Sequence, residues 1–143
     1  MKIKRLHKDA ILPHYASFGA SAFDIFAYED VEWENDGDNW TAIVHSGWAF
    51  EIPYSCGLFI LSRSGHGFKS NTHLANCVGL LDEDYRGELM VKLISLNSNP
   101  PKIKKGNAVA QCVLLETPKM FFEVVDELSE TIRGDGGFGS TDK

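Results

Sequence analysis

Apolar residues in this chain come in short blocks, at 22–28, 40–50, 56–61, 88–96 and 107–115, with Gly, Pro, Asn and Asp between them. Blocks of that length bounded by turn formers predict strands, and no long run repeats at helical spacing. The pattern therefore predicts an all-β fold with very little helix. Lys2 to Leu6 alternates charged and apolar residues, which suits an edge strand. Cys56 to Ser62, Leu89 to Leu96 and Ala108 to Leu115 read as strands, and Lys119 to Val125 as the last core strand. Beyond Ser129 the apolar pattern stops. The stretch Gly79 to Gly87, entered through Asn76-Cys77-Val78 and left through Leu89 to Leu96, predicts a β-hairpin with a functional tip. On that tip lie Asp82, Glu83, Asp84, Tyr85 and Arg86.

A second hairpin is predicted over 29–40, where Trp33 and Trp40 flank the turn dipeptide Asp36-Gly37. Its acids Glu29, Asp30, Glu32, Glu34, Asp36 and Asp38 do not have the spacing of an EF-hand loop, so a solvated tip is the expectation.

The length of 143 residues suits one domain with a real core. A formal charge of −6 argues against a broad basic face for nucleic acid and leaves room for a small phosphate ligand held by local cations. Cys56, Cys77 and Cys112 are odd in number, widely spaced and in apolar settings, and read as buried thiols in a reducing compartment. The basic N-terminus lacks the apolar stretch of a signal peptide, and no apolar run is long enough to span a membrane. The expected location is cytoplasmic, the host cytoplasm if the source is viral.

Several residues carry candidate chemistry. Arg63-Ser64-Gly65, a cation, a hydroxyl and a glycine at a strand end, can form an anion pocket or an ordinary turn. Gln111 places an amide inside an apolar strand, where it needs partners if buried. Asp24 is an acid within Phe23–Ala27, open to bonds from nearby backbone amides. Residues 133–141 hold four glycines and Phe138, which reads as a disordered tail or as backbone able to wrap phosphates.

Taken together, Ala22-Phe23-Asp24-Ile25, Arg63-Ser64-Gly65, Gly79 to Gly87, Gly106 to Gln111 and Arg133 to Thr141 resemble the five motifs of the homotrimeric dUTPase family. They do so in order and spacing, over almost the whole chain, and the third and fifth are the most specific. The resemblance implies a distorted jelly-roll or β-clip barrel over 1–128 and a mobile C-terminal tail over 129–143. It implies hydrolysis of dUTP to dUMP and pyrophosphate with Mg²⁺, which keeps uracil out of DNA and supplies dUMP for dTMP synthesis. Asp82 would orient and polarise the water that attacks the α-phosphorus. Arg63, Ser64, Gly65, Gln111 and Arg133 would contact phosphates. Asn76 and the backbone of Leu80, Leu81 and Asp82 would read uracil, and Tyr85 and Met90 would pack on the deoxyribose. Phe138 would stack on the base, with Gly139 beside it. The metal would sit on phosphate oxygens and waters, with Asp24 reaching it through a water. Each site would draw on three subunits of a homotrimer. The family usually has Gly at the place of Ala22, and many members have Leu at that of His66. Two alternatives stand beside this reading: an enzyme like dCTP deaminase, with the same fold, and a nucleotide-sensing protein that binds a regulatory partner.

Overall fold

The computed structural model describes residues 1–137. In chain order the strands are β1 (Lys2–Arg5), β2 (His14–Tyr15), β3 (Phe23–Phe26), β4 (Glu34–Asn35), β5 (Trp40–Glu51) and β6 (Cys56–Leu61). A short helix α1 (Ser64–Ser70) follows, then β7 (Thr72–Leu74), β8 (Val78–Leu81), β9 (Glu88–Ser95) and β10 (Ala108–Glu116). One sheet runs β1-β5-β9-β7 with β4 also on β5, and the other runs β2-β3-β10-β6-β8. All pairings are antiparallel. The predicted all-β class and sparse helix are thus observed, and the apolar blocks are the strands.

Alternation drives the layering. On β9, Leu89, Val91 and Leu93 are buried while Met90 and Lys92 face out. On β10, Val109, Ala110 and Cys112 are buried, and on β6, Leu58 and Ile60. With Phe50, Ile25 and Leu74 they form one core between the sheets. A fully buried side chain of this size stabilises by about 1.5–3 kcal/mol relative to exposure.

The long strand β5 is broken by a bulge. His45 pairs with Met90 and Ala49 with Glu88, so β5 spends four steps where β9 spends two. Gly47 sits in the bulge at φ 75°, and a Cβ there would lie 2.6 Å from the Cβ of Ala10. Both the backbone conformation and the space call for glycine at this position.

The 29–40 hairpin forms as predicted, with Glu34 opposite Thr41 and Asn35 opposite Trp40. Asp36 Oδ1 accepts the amides of Asn39 (2.8 Å) and Asp38 (3.2 Å) and closes the tip. Those bonds hold the Asp36 carboxyl below its usual range. The indoles of Trp33 and Trp40 donate to the carbonyls of Pro101 and Ser98, which lash the hairpin to the turn after β9.

Three expectations are corrected. The segment 76–96 is not a hairpin: β8 pairs with β6 and β9 with β5 and β7, so residues 82–87 cross from one sheet to the other. Turn formers between apolar runs mark a change of direction, not the partner that each run takes. Lys119 to Val125 is not a core strand: these residues are exposed and lie in no strand, because β10 ends at Glu116 and no described segment pairs with them. Cys77 is exposed, since it occupies a tight turn at φ 63°; Cys56 is half-buried and Cys112 alone is buried. All three thiols are unpaired. Burial, with the Asp24 carboxylate nearby, pushes the Cys112 thiol up to about 12 and keeps it protonated. Among the described residues no helix is long and apolar enough to cross a membrane.

Candidate active site

Strand β10 lies between β3 and β6, and this order brings three separate stretches together. Gln111 is opposite Asp24 on one side and Leu61 on the other. The chain leaving β6 turns at Arg63 into α1, which has two glycines, no side-chain N-cap bond, and ends at Asn71 in the left-handed region. Arg63 Nε donates to Asp24 Oδ1 (3.2 Å) and its Nη1 to the Ala108 carbonyl (3.0 Å). Gln111 Nε2 donates to the Ser62 carbonyl (3.1 Å). The expected alternatives for Gln111 meet here: it bonds across to the backbone and stands in the same corner as Arg63. Ser64 and Gly65 open the helix and are exposed beside this corner. The expected Gly-rich turn at 63–67 is therefore a helix start. A shallow cleft of about 310 Å³ is lined by Ser62, Arg63, Ser64, Gly67 and Phe68.

Sequence reasoning left His66 without a role. Its Nε2 donates to the Ala108 carbonyl (2.9 Å), the acceptor that Arg63 also uses. One turn of helix from Arg63, the imidazole ties α1 to β10. Ala22 keeps ordinary backbone, so the absent glycine is no obstacle there.

The crossing loop 82–87 sorts its own acids. Glu83 Oε2 accepts the Ser55 amide (2.6 Å), and the Glu83 carbonyl accepts Arg86 Nη1 (2.6 Å). Glu83 is thereby committed to holding the loop on the 53–56 turn. Asp82 and Asp84 are exposed, and among the described residues neither carboxylate accepts a hydrogen bond. The Asp82 carbonyl accepts the Tyr85 amide (3.2 Å), which sets the bend. The Tyr85 ring lies over Gly87, where any Cβ would run into its hydroxyl and ring. Its hydroxyl donates to the Glu88 carbonyl (3.2 Å).

Where β8, β7 and β9 meet is a cleft of about 310 Å³ lined by Ile60, Leu74, Ala75, Asn76, Gly79, Met90, Val91 and Lys92. Its size is at the lower end of small-molecule pockets. Mostly apolar walls with one amide and one amine suit a flat, polar-edged ring and its sugar. Leu80 is exposed and Leu81 half-buried at the edge strand β8 that leads into the loop.

The structure does not bring the loop and the Arg63 corner together within one chain. Leu81 pairs with Leu58 and Val78 with Leu61, so Asp82 lies across from Gly57 at one end of β6 and Arg63 follows the other end. Six residues of extended chain separate those ends, about 20 Å. Arg133 is exposed, and its Nε donates to the Gly136 carbonyl within its own turn. Phe138 and Gly139 lie outside the described residues. Among the described residues no group of three or more His, Cys, Asp or Glu side chains could hold a metal. Asp24 gives one carboxylate oxygen to Arg63, and its other oxygen has no hydrogen bond among the described residues.

Residues 8–142 match the family model for dUTPase. The chain is 40% identical over 139 residues to a deoxyuridine 5'-triphosphate nucleotidohydrolase of Hydrogenobaculum sp., covering 97% of this chain and 95% of the relative. The same enzyme of Nautilia profundicola is 39% identical over 143 residues, covering 100% of this chain and 99% of the relative. Among solved structures, a variant of the Staphylococcus bacteriophage 80alpha dUTPase with dUpNHpp superposes with a TM-score of 0.81 at 22% identity, over 98% of this chain and 96% of that one. A variant dUTPase of phage phi11 of S. aureus, whose structure reveals the coordination of a structural Mg(II) ion, gives a TM-score of 0.72 at 19% identity, over 88% and 96%. Full-length similarity to these enzymes, with the family's motif residues placed on adjacent strands and on the loop that crosses between the sheets, leads to one conclusion: the chain belongs to the dUTPase family.

Proposed function

We propose that the chain hydrolyses dUTP to dUMP and pyrophosphate, with Mg²⁺, at sites shared between the subunits of a homotrimer. The observation that carries this reading is the pair of half-sites: a cation-and-amide corner at Arg63 and Gln111, and an Asp82 carboxylate, without a hydrogen bond among the described residues, about 20 Å away along the same chain. Arg63 and Gln111 cannot grip the phosphates of a nucleotide whose attacking water Asp82 holds unless a second copy supplies one of the two. The exposed apolar segment after β10, with Phe121, Phe122 and Val124 almost fully exposed, supports the same assembly, since a neighbouring copy would cover it.

In the assembled site Arg63, Ser64 and Gln111 bind the phosphates through side-chain donors, and the Gly65 backbone lies against them. Asp82 holds the attacking water and polarises it toward the α-phosphorus, as an ionised carboxylate can. Asn76 with the backbone of Leu80, Leu81 and Asp82 reads the uracil edge, and Tyr85 with Met90 packs on the deoxyribose and leaves no room for a 2′-hydroxyl. Arg133, with Phe138 and Gly139, closes over the bound nucleotide from the tail 129–143, beyond the domain 1–128. Mg²⁺ would be held chiefly by phosphate oxygens and water and would offset phosphate charge; the Asp24 oxygen that has no hydrogen bond among the described residues is suited to accept from a metal-bound water. Three unpaired thiols fit a reducing, cytoplasmic setting.

Pyrophosphate release from dUTP, dCTP, dTTP and UTP in the presence of Mg²⁺ tests this. Strong preference for dUTP is expected. Ammonia release from dCTP would instead identify a deaminase, and nucleotide binding without turnover a sensor.

A further inference from the structure

Tyr85 is held by an arrangement that reaches across to the neighbouring strand β5. Tyr85 bonds to the carbonyl of Glu88, the first residue of β9. The carboxylate of that same residue is directed into the bulge of β5. Its Oε1 accepts the Gly47 amide (2.7 Å), and its Oε2 accepts from His45 Nδ1 (2.9 Å). A bulge interrupts the regular ladder. At this bulge the Glu88 side chain supplies the cross-strand bonds that the backbone omits, and so fixes where β9 begins. The Glu88 side chain is only 16% exposed, and His45, across from Met90, is 39% exposed. Glu88 and Met90 face the same side of the strand, so this brace stands beside the residue expected to pack on the sugar.

We propose that Glu88, braced by His45 and the Gly47 amide, is a positioning residue for substrate selection. It sets the height of the Tyr85 ring and so the gap that excludes a 2′-hydroxyl. The inference rests on the reading of Tyr85 as the floor of the sugar pocket. Ring placement controls this kind of exclusion because the clash with one extra oxygen disappears with a small retreat of the ring.

The test is the ratio of kcat/KM for dUTP to that for UTP, measured on the full chain with melting temperatures alongside. Glu88→Ala should lower the ratio by about tenfold, mostly through a gain on UTP. Glu88→Gln keeps an acceptor for the Gly47 amide and should retain more of the ratio. His45→Ala leaves the Gly47 bond in place and should fall between, and it decides the matter if Glu88→Ala does not fold. A merely architectural role would lower melting and both activities in parallel and leave the ratio unchanged, which would overturn the proposal. Tyr85→Ala separates the two layers. If it relaxes selection while Glu88→Ala and His45→Ala do not, the brace is irrelevant and Tyr85 keeps its role. If Tyr85→Ala itself keeps full selection, the reading of Tyr85 is wrong.

Discussion

At the scale of single residues, the loop after β8 carries three acids that hydrogen bonding tells apart. Glu83 is tied through Oε2 to the Ser55 amide and holds the loop in place. Asp82 and Asp84 remain, and the motif match selects Asp82. Asp82→Asn should lower kcat by about 10²–10⁴-fold, because the amide keeps the size and loses the charge that activates water. Binding of a non-hydrolysable dUTP analogue should persist. Asp84→Asn should stay close to wild type; the reverse outcome would transfer the role to Asp84. Glu83→Gln should act through the loop, with a lower melting temperature as its main sign. Gly87 offers a separate check. An added Cβ collides with the Tyr85 ring, so Gly87→Ala should raise KM for dUTP and admit UTP more readily. An unaltered substrate profile would show that the ring has another place to go.

At the scale of elements, the strand-forming blocks were legible because burial on one face imposes alternation, as on β9. The Asp36-Gly37 tip was legible because its turn chemistry is local. The partner of each strand was not. The run from Val78 to Ser95 has the profile of a hairpin, yet its halves enter different sheets, a choice made by packing against β6 and β5. Nor could apolarity say that Lys119 to Val125 lies outside the core of its own chain. In the candidate site, the motifs singled out Asp24, Arg63 and Gln111, which the structure brings into one corner, while His66, His45 and Glu88 make contacts between distant segments that no spacing encodes. The tip also carries a pH prediction. Asp36 is held below its ordinary value of 3.8, first by the Asn39 amide and then by that of Asp38. A depressed folded value means that the stabilising contribution is complete above the unfolded value and is lost as pH falls through the folded one. An NMR titration of the Asp36 carboxyl should therefore show a midpoint below 3.8, and Asp36→Ala should abolish the acid-side loosening of the tip. A midpoint at or above the ordinary value would contradict the bonding seen here.

At the scale of the whole molecule, the distance between the two half-sites governs what a single copy can do. On the proposed reading, a chain with Asp82 at one end of β6 and Arg63 at the other would be incomplete as a catalyst, however well it folds. Sedimentation should give a particle of roughly three times the 15.9 kDa chain, as closed threefold symmetry requires. The sharing of sites can be read more directly by complementation. Asp82→Asn and Arg63→Ala subunits should each form nearly inactive trimers. Co-refolded in equal amounts, they should assemble at random, and a site then has a chance of one half of drawing its intact Arg63 from the first kind and of one half of drawing its intact Asp82 from the second. About a quarter of the sites should therefore be whole, and turnover should rise to about a quarter of wild type if subunits pair without bias. Mixing the two purified trimers without unfolding them should restore nothing unless subunits exchange. If co-refolding restores no activity although mixed trimers form, each site is built within one chain, and the long separation along β6 must be closed by a movement of the crossing loop instead of by a neighbour.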